Sequence, residues 1–169
     1  LSQWSISPTP SRQFQVTAHP DFYGTSYSKS ALWGVKPDTM EIWDLSLPVQ
    51  VLIYEDPAGE ASASSSMFYL DNLDGDDPYS VFLNGNHALT RIVNPSASGG
   101  TLLILKDSFA NCLAPFLAAH FREIDLIDLR YYRPSGGLSL LEDTSADQIL
   151  FVYSLDDLVE DPNFIWLAP

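Results

Sequence analysis

The sequence predicts an α/β fold: a core of at least three parallel strands, joined to a β-rich N-terminal part. Three observations carry this. After residue 100 the chain alternates strand, helix, strand, helix, strand, the order that calls for a parallel sheet with crossovers. The stretch TLLILKDSFANCLAPFLAAHF, Thr101 to Phe121, reads as a buried strand, a sharp break at Lys106-Asp107-Ser108 and a mostly apolar helix. The first half instead carries closely spaced strands and few helices.

The elements follow in order. Residues 1–20 are polar, contain Pro8, Pro10 and Pro20, and read as an extended arm with a short strand at Phe14–Thr17. Asp21–Trp33, rich in Tyr, Ser and Gly, reads as an ordered loop. Met40–Trp43 and Val49–Glu55 alternate or run apolar and read as strands. Pro57–Ser66 is a small-residue loop, and Met67–Leu70 a helical turn or an edge strand. The acidic turn Asp71–Asp77 leads to a predicted strand at Tyr79–Leu83, and Asn94–Gly100 is a Gly/Ser loop. Then come the strand Thr101–Lys106, the helix Ser108–His120 and the strand Ile124–Asp128. A turn at Pro134–Gly137 precedes a short helix around Ser139–Asp147, the strand Ile149–Ser154 and the helix Leu155–Val159.

The totals fit one domain over residues 1–169. Apolar residues make up 46% and charged residues 18%, a globular balance with enough material for a core. The net charge is −14, from 22 acidic and 8 basic residues; a nucleic acid or an anionic surface would repel it, and the charge reads as solubility. The single cysteine, Cys112, excludes an intrachain disulfide and a cysteine zinc cluster. No apolar run reaches the length of a membrane span. No cofactor is expected, since no glycine-rich phosphate loop stands at the strand–helix turn, which also ranks a flavodoxin-like ligand module last. Asp71, Asp74, Asp76 and Asp77 do not match the calcium-loop spacing and read as a solvated turn, so no metal is expected.

The chemistry converges on Ser108. At the carboxyl edge of a parallel strand, where open α/β sheets hold their ligands, it is either a nucleophile facing a helix N-terminus or only an N-cap. A nucleophile needs a base. His120 lies about 18 Å along the helix and cannot serve. His19 is in the arm. His87 follows Gly85-Asn86, which would approach Ser108 if Tyr79–Leu83 neighbours the central strand. Asn86 and the Gly85 N–H then offer oxyanion donors, or the three residues form a plain turn. Arg130, and with it Asp107, reach the same edge; Arg130 holds a carboxylate or an oxyanion, or pairs with Asp128 or Asp107. Trp4, Trp33, Trp43 and Trp166 read as core or loop anchors, with a sugar-stacking face as the alternative.

Five stretches resemble the DHHW family of bacterial cell-envelope proteins, relatives of the SGNH hydrolases and of the alginate O-acetyltransferase group. They are Phe22–Ser30 (FYGTSYSKS), Lys36–Asp44 (KPDTMEIWD), Tyr79–His87 (YSVFLNGNH), Leu102–Asn111 (LLILKDSFAN) and Ile127–Tyr132 (IDLRYY). The resemblance implies an SGNH-like three-layer α/β/α core, and an esterase or O-acyltransferase acting on a carbohydrate or acyl-ester substrate in the cell envelope or outside the cell. It makes Ser108 the nucleophile, with Asn86 and Gly85 at the oxyanion, and leaves Arg130, His87 and Asp107 for substrate. The Asp-His-His-Trp motif that names the family, and that should supply the triad aspartate and histidine, does not occur in this sequence. The chain therefore looks like the C-terminal portion of such a protein. A serine without a positioned base has little nucleophilic power at neutral pH. The alternative is a non-catalytic glycan-binding or scaffold domain of the same fold.

Overall fold

The structure, a computed structural model, describes residues 6–24, 27, 30, 34–132 and 144–167. It is a mixed α/β fold, mostly sheet. Strands β1 (Gln15–Phe22) and β2 (Asp38–Asp44) form an antiparallel ribbon. Six further strands make one sheet: β3 (Gln50–Tyr54), β4 (Ser62–Ser64), β5 (Leu89–Val93), β6 (Gly99–Lys106), β7 (Phe121–Ile127) and β8 (Gln148–Val152), in the order β4-β3-β5-β7-β6-β8. Helix α1 (Ala110–Leu117) joins β6 to β7, and α2 (Leu155–Glu160) follows β8.

The predicted parallel core is present: β6 lies between β7 and β8 and runs parallel to both. Its residues Leu102 to Lys106 are all buried, as a strand covered on both faces must be. Leu102 and Ile104 point toward Ala110, Ala114 and Leu117 of α1, and Leu103 and Leu105 toward the opposite core with Tyr153 and Phe164. At the other end of β6, a Cβ on Gly99 would stand 2.1 Å from the His120 carbonyl oxygen, so only glycine lets β6 and β7 start side by side.

The other half of the sheet is antiparallel and departs from expectation. Tyr79–Leu83 is not a strand. Pro78 opens a 3-10 turn, Pro78–Val81, and Phe82 makes only an isolated bridge to Phe68. The missing strand is β5, whose short LTRIV run pairs with both β3 and β7. Arg91 and Asp125, directly opposite in β5 and β7, make two 2.7 Å hydrogen bonds that pin this register. The loop expected at Pro57–Ser66 contains β4, an edge strand paired to β3. Helix α1 is shorter than Ser108–His120, with Pro115 interrupting its hydrogen-bond ladder. Among the described residues of the arm, the strand pairs with β2 and not with the large sheet. That strand extends to Phe22, and Phe14 packs against Trp43 and against Phe116 of α1. The helix expected around Ser139–Asp147 falls largely outside the described residues. Among those residues no helix is long and apolar enough to cross a membrane.

Candidate active site at the carboxyl edge of β6

Because β6 is parallel to β7 and β8, the chain leaves all three at one edge. Because β5 is antiparallel, it enters the sheet at that same edge, with Leu89 opposite Ile127. The segment Gly85–His87 therefore arrives beside Lys106-Asp107-Ser108 by preceding β5, not by following a strand as the sequence suggested.

Ser108 is half-buried. It is not the helix cap. Asp107 closes the turn ahead of the helix: its Oδ1 accepts the Phe109 N–H at 2.8 Å, and its Oδ2 accepts the Ser154 N–H. Asp107 is fully buried, with both oxygens committed to backbone donors, so it is not a substrate ligand. It ties the β6–α1 turn to the β8–α2 turn. Asp107→Ala should cost about 1–3 kcal/mol, because two part-buried N–H groups lose their acceptor. Urea denaturation checks this, and a loss under about 1 kcal/mol would contradict it. The Ser108 carbonyl accepts the Tyr79 hydroxyl at 3.0 Å and the Asn111 N–H at 3.1 Å, which fixes the residue's backbone. Burial and the neighbouring Cys112 thiol push the Tyr79 hydroxyl well above its ordinary pKa, so it stays a donor. Ser108 Oγ itself has no hydrogen-bond partner among the described residues.

None of the three histidines serves it. His87 is buried and both ring nitrogens are engaged, Nδ1 with Glu55 Oε1 at 2.7 Å and Nε2 with the Asn84 carbonyl at 3.0 Å. It has no nitrogen left for Ser108 or for substrate. His120 meets Thr9 Oγ1 at 3.2 Å, and burial lowers its pKa. His19 lies on β1 and lines a separate cavity of about 320 Å³ with Thr17, Asp44 and Ser66.

Two other expected ligands are also committed. The Gly85 N–H donates to the Phe82 carbonyl at 3.1 Å and is not free for an oxyanion. Arg130 grips Asp128 through Nε (2.9 Å) and one Nη (2.7 Å), the pairing the sequence left open, with Asp157 3.8 Å away; the Asp128 bonds raise its pKa further.

Asn86 is placed as expected, beside the end of β6. Its Oδ1 accepts from Lys106 Nζ at 2.9 Å and from Asn111 Nδ2 at 3.1 Å, and Asn111 also donates to the Gly85 carbonyl at 3.0 Å. Lys106 and Asn111, each 1% exposed, are the site residues that sequence reasoning missed. The available signals were a lysine ending an otherwise apolar central strand and an asparagine one helical turn beyond Ser108. Lys106 Nζ also lies 3.6 Å from the fully buried Asp128. Desolvation lowers the Lys106 pKa to about 8, against the pull of Asp128 and with the push of Arg130.

Of the tryptophans, Trp43 is the one whose surroundings are described. It lines a half-open apolar cavity of about 310 Å³ between β2 and α1, with Phe82, Cys112 and Phe116. The aspartates after Leu70 lie on a 3-10 turn and the bend after it. Among the described residues no group of three or more His, Cys, Asp or Glu is placed to hold a metal.

No protein-family model matches the chain, and no curated protein does. Solved structures do. The chain is similar to a DHHW family protein from Eubacterium siraeum DSM 15702, with a TM-score of 0.77 and 21% identity over 96% of this chain and 55% of that one. It is also similar to Bacillus cereus PatB1 with a sulfonyl adduct, with a TM-score of 0.71 and 21% identity over 92% and 51%. A second PatB1 structure gives 0.65 and 20% identity over 89% and 52%. The fold is thus shared with these proteins, and the chain spans about half the length of each.

Proposed function

We propose that this chain is the serine-bearing part of an SGNH-like esterase or O-acyltransferase acting on a cell-envelope glycan. The observation that carries the reading is the state of Ser108. Its hydroxyl stands at the carboxyl edge of a parallel strand and makes no capping bond that would explain it locally, the turn there being closed by Asp107. The amide NH2 of Asn86 stands by as an oxyanion donor. The sulfonyl adduct carried by PatB1 adds support, since sulfonyl reagents mark nucleophilic side chains. Trp43 and the neighbouring aromatic rings offer flat apolar faces of the kind that sugars stack on.

In this reading Ser108 Oγ attacks the acyl carbonyl, and its proton passes to a base outside these 169 residues. The tetrahedral oxyanion is held by Asn86 and collapses to the acyl-serine, breaking the donor's acyl C–O bond and releasing its alcohol with the proton the base had taken. The acyl-serine then yields its acyl group to water or to a glycan hydroxyl. That no histidine reaches Ser108 favours a second reading for the chain as given, a glycan-binding or scaffold domain without turnover.

The test is hydrolysis of a model acetyl ester by the full-length protein. Ser108→Ala should abolish it, Asn86→Ala should lower kcat about 100-fold or more, and a fluorophosphonate should label Ser108 stoichiometrically. Equal turnover by Ser108→Ala would sink the enzymatic reading. Glycan retention with no labelling of Ser108 would establish the binding reading in its place.

A further inference from the structure

Asn86 is presented by a strained turn. Between Phe82 and Gly85, whose carbonyl and N–H close the turn, Leu83 and Asn84 both have positive φ, 56° and 61°, as in a type I′ turn, and Gly85 follows at 92°. A leucine in this conformation is strained, because its Cβ crowds the following carbonyl oxygen. The conformation persists because its surroundings over-determine it. The Leu83 side chain is 1% exposed in the main core, Asn72 donates to Asn84 Oδ1, His87 holds the Asn84 carbonyl, and Asn111 holds the Gly85 carbonyl. The outcome of this bracing is a fixed place for the Asn86 side chain over the end of β6.

Place alone does not set which end of an amide faces the site. An asparagine side chain flips at little steric cost, so its partners decide. Here both partners of the Asn86 oxygen are donors. Lys106 carries an ammonium, which has no acceptor at all, and a flipped Asn86 would set its NH2 against that charge in a buried place. The NH2 is thereby turned away from Lys106, and no described residue takes its hydrogens. A leucine at position 106 would have continued the run Leu102–Leu105 with no charge to desolvate, whereas a buried ammonium carries a desolvation cost that its partners must offset. Asp128 offsets part of that cost, but Asp128 already has Arg130 and does not need a second cation.

We infer that Lys106 is a positioning residue for transition-state stabilisation: its ammonium, with the Asn111 amide, clamps Asn86 Oδ1 so that the Asn86 NH2 faces the oxyanion formed at Ser108. The inference rests on the reading of Ser108 as the nucleophile. Lys106 touches no reacting atom and acts through Asn86 alone.

A double-mutant cycle in the full-length protein tests it. Lys106→Met, similar in length and still leaving Asp128 paired with Arg130, should lower kcat for the acetyl ester about tenfold or more, with KM within about twofold. In the Asn86→Ala background the same change should have no further effect, because there is no amide left to orient. An equal loss in both backgrounds, or an unchanged kcat in Lys106→Met, would overturn the inference. A second readout needs no turnover. In 15N–1H spectra the Asn86 side-chain NH2 pair, assigned by its absence in Asn86→Ala, should shift or broaden in Lys106→Met, and an unmoved pair would also overturn the clamp. Spectra that show the clamp together with turnover indifferent to Ser108→Ala would remove the nucleophile reading, and with it the catalytic purpose, while leaving the hydrogen bond demonstrated.

Discussion

Replacing Asp128 with alanine is expected to destabilise the fold by about 3–5 kcal/mol, the range for removing one partner of a buried ion pair. Asp128 is fully buried and supports two cations from different places in the chain. Its Oδ1 accepts the Arg130 N–H at 3.1 Å and Nε at 2.9 Å, and its Oδ2 accepts an Arg130 Nη at 2.7 Å and faces Lys106 Nζ at 3.6 Å. Without the carboxylate, Arg130 can swing toward solvent, since a third of its side chain is already exposed. Lys106 cannot, at 1% exposure, and keeps only the Asn86 oxygen. The damage should therefore run through Lys106. Adding Lys106→Met to Asp128→Ala should recover a large part of the loss, and the two changes should be strongly non-additive. Urea midpoints at an unchanged m-value give the numbers. A loss below about 1 kcal/mol, or simple additivity, would show that the cluster is not coupled in this way.

The parallel core could be read from the sequence because burial on both faces leaves a run with no polar interruption. LLIL before Lys106 shows it, while β7 is interrupted by Asp125 and β8, at the end of the sheet, leaves Ile149 and Phe151 exposed; the Asp-Ser break places Ser108 at the right edge. β5 was hidden because LTRIV is five residues long and mixed in character, while Tyr79–Leu83 has a better strand composition. What decides against Tyr79–Leu83 is Pro78 at its start and two left-handed residues at its end, and the second of these is a tertiary fact imposed by packing Leu83 into the core. β4 had no signal at all: Ser-Ala-Ser pairs because the edge of β3 offers it a ladder.

The site divides along the same line. Ser108 and Asn86 are legible from chemistry and topology together. Gly85, Asp107, Arg130 and His87 have the right chemical types at the right edge, yet each spends its donors or acceptors on the protein, and only coordinates reveal that. Lys106 and Asn111 act through contacts to Asn86 that span 20 and 25 residues of chain, which no local pattern encodes.

The Lys106 ammonium also makes stability and orientation respond oppositely to alkali. Burial has lowered its pKa from 10.5 to about 8, while in the unfolded chain it returns to its ordinary value. Between these two values the unfolded state binds more protons than the folded one, so unfolding free energy must rise with pH in that window. Below about 8 the full penalty of a buried charge is present, and by about pH 10.5 it is largely relieved. The gain should be about 3 kcal/mol relative to Lys106→Met, which has nothing to titrate there. The comparison with that variant matters, because Tyr79 and Tyr153, both raised by burial, pull stability down at still higher pH in either protein and cancel in the difference. Asp128, Arg130 and Asp107 are the charged groups that face Lys106. A stability difference that stays flat within about 0.5 kcal/mol from pH 7.5 to 10.5 would mean that Lys106 keeps its ordinary pKa in the folded state, so that burying its ammonium costs no stability there. A rising difference accompanied by loosening of the Asn86 NH2 resonances would show that this charge costs stability where it fixes the amide, as expected of a group kept for positioning.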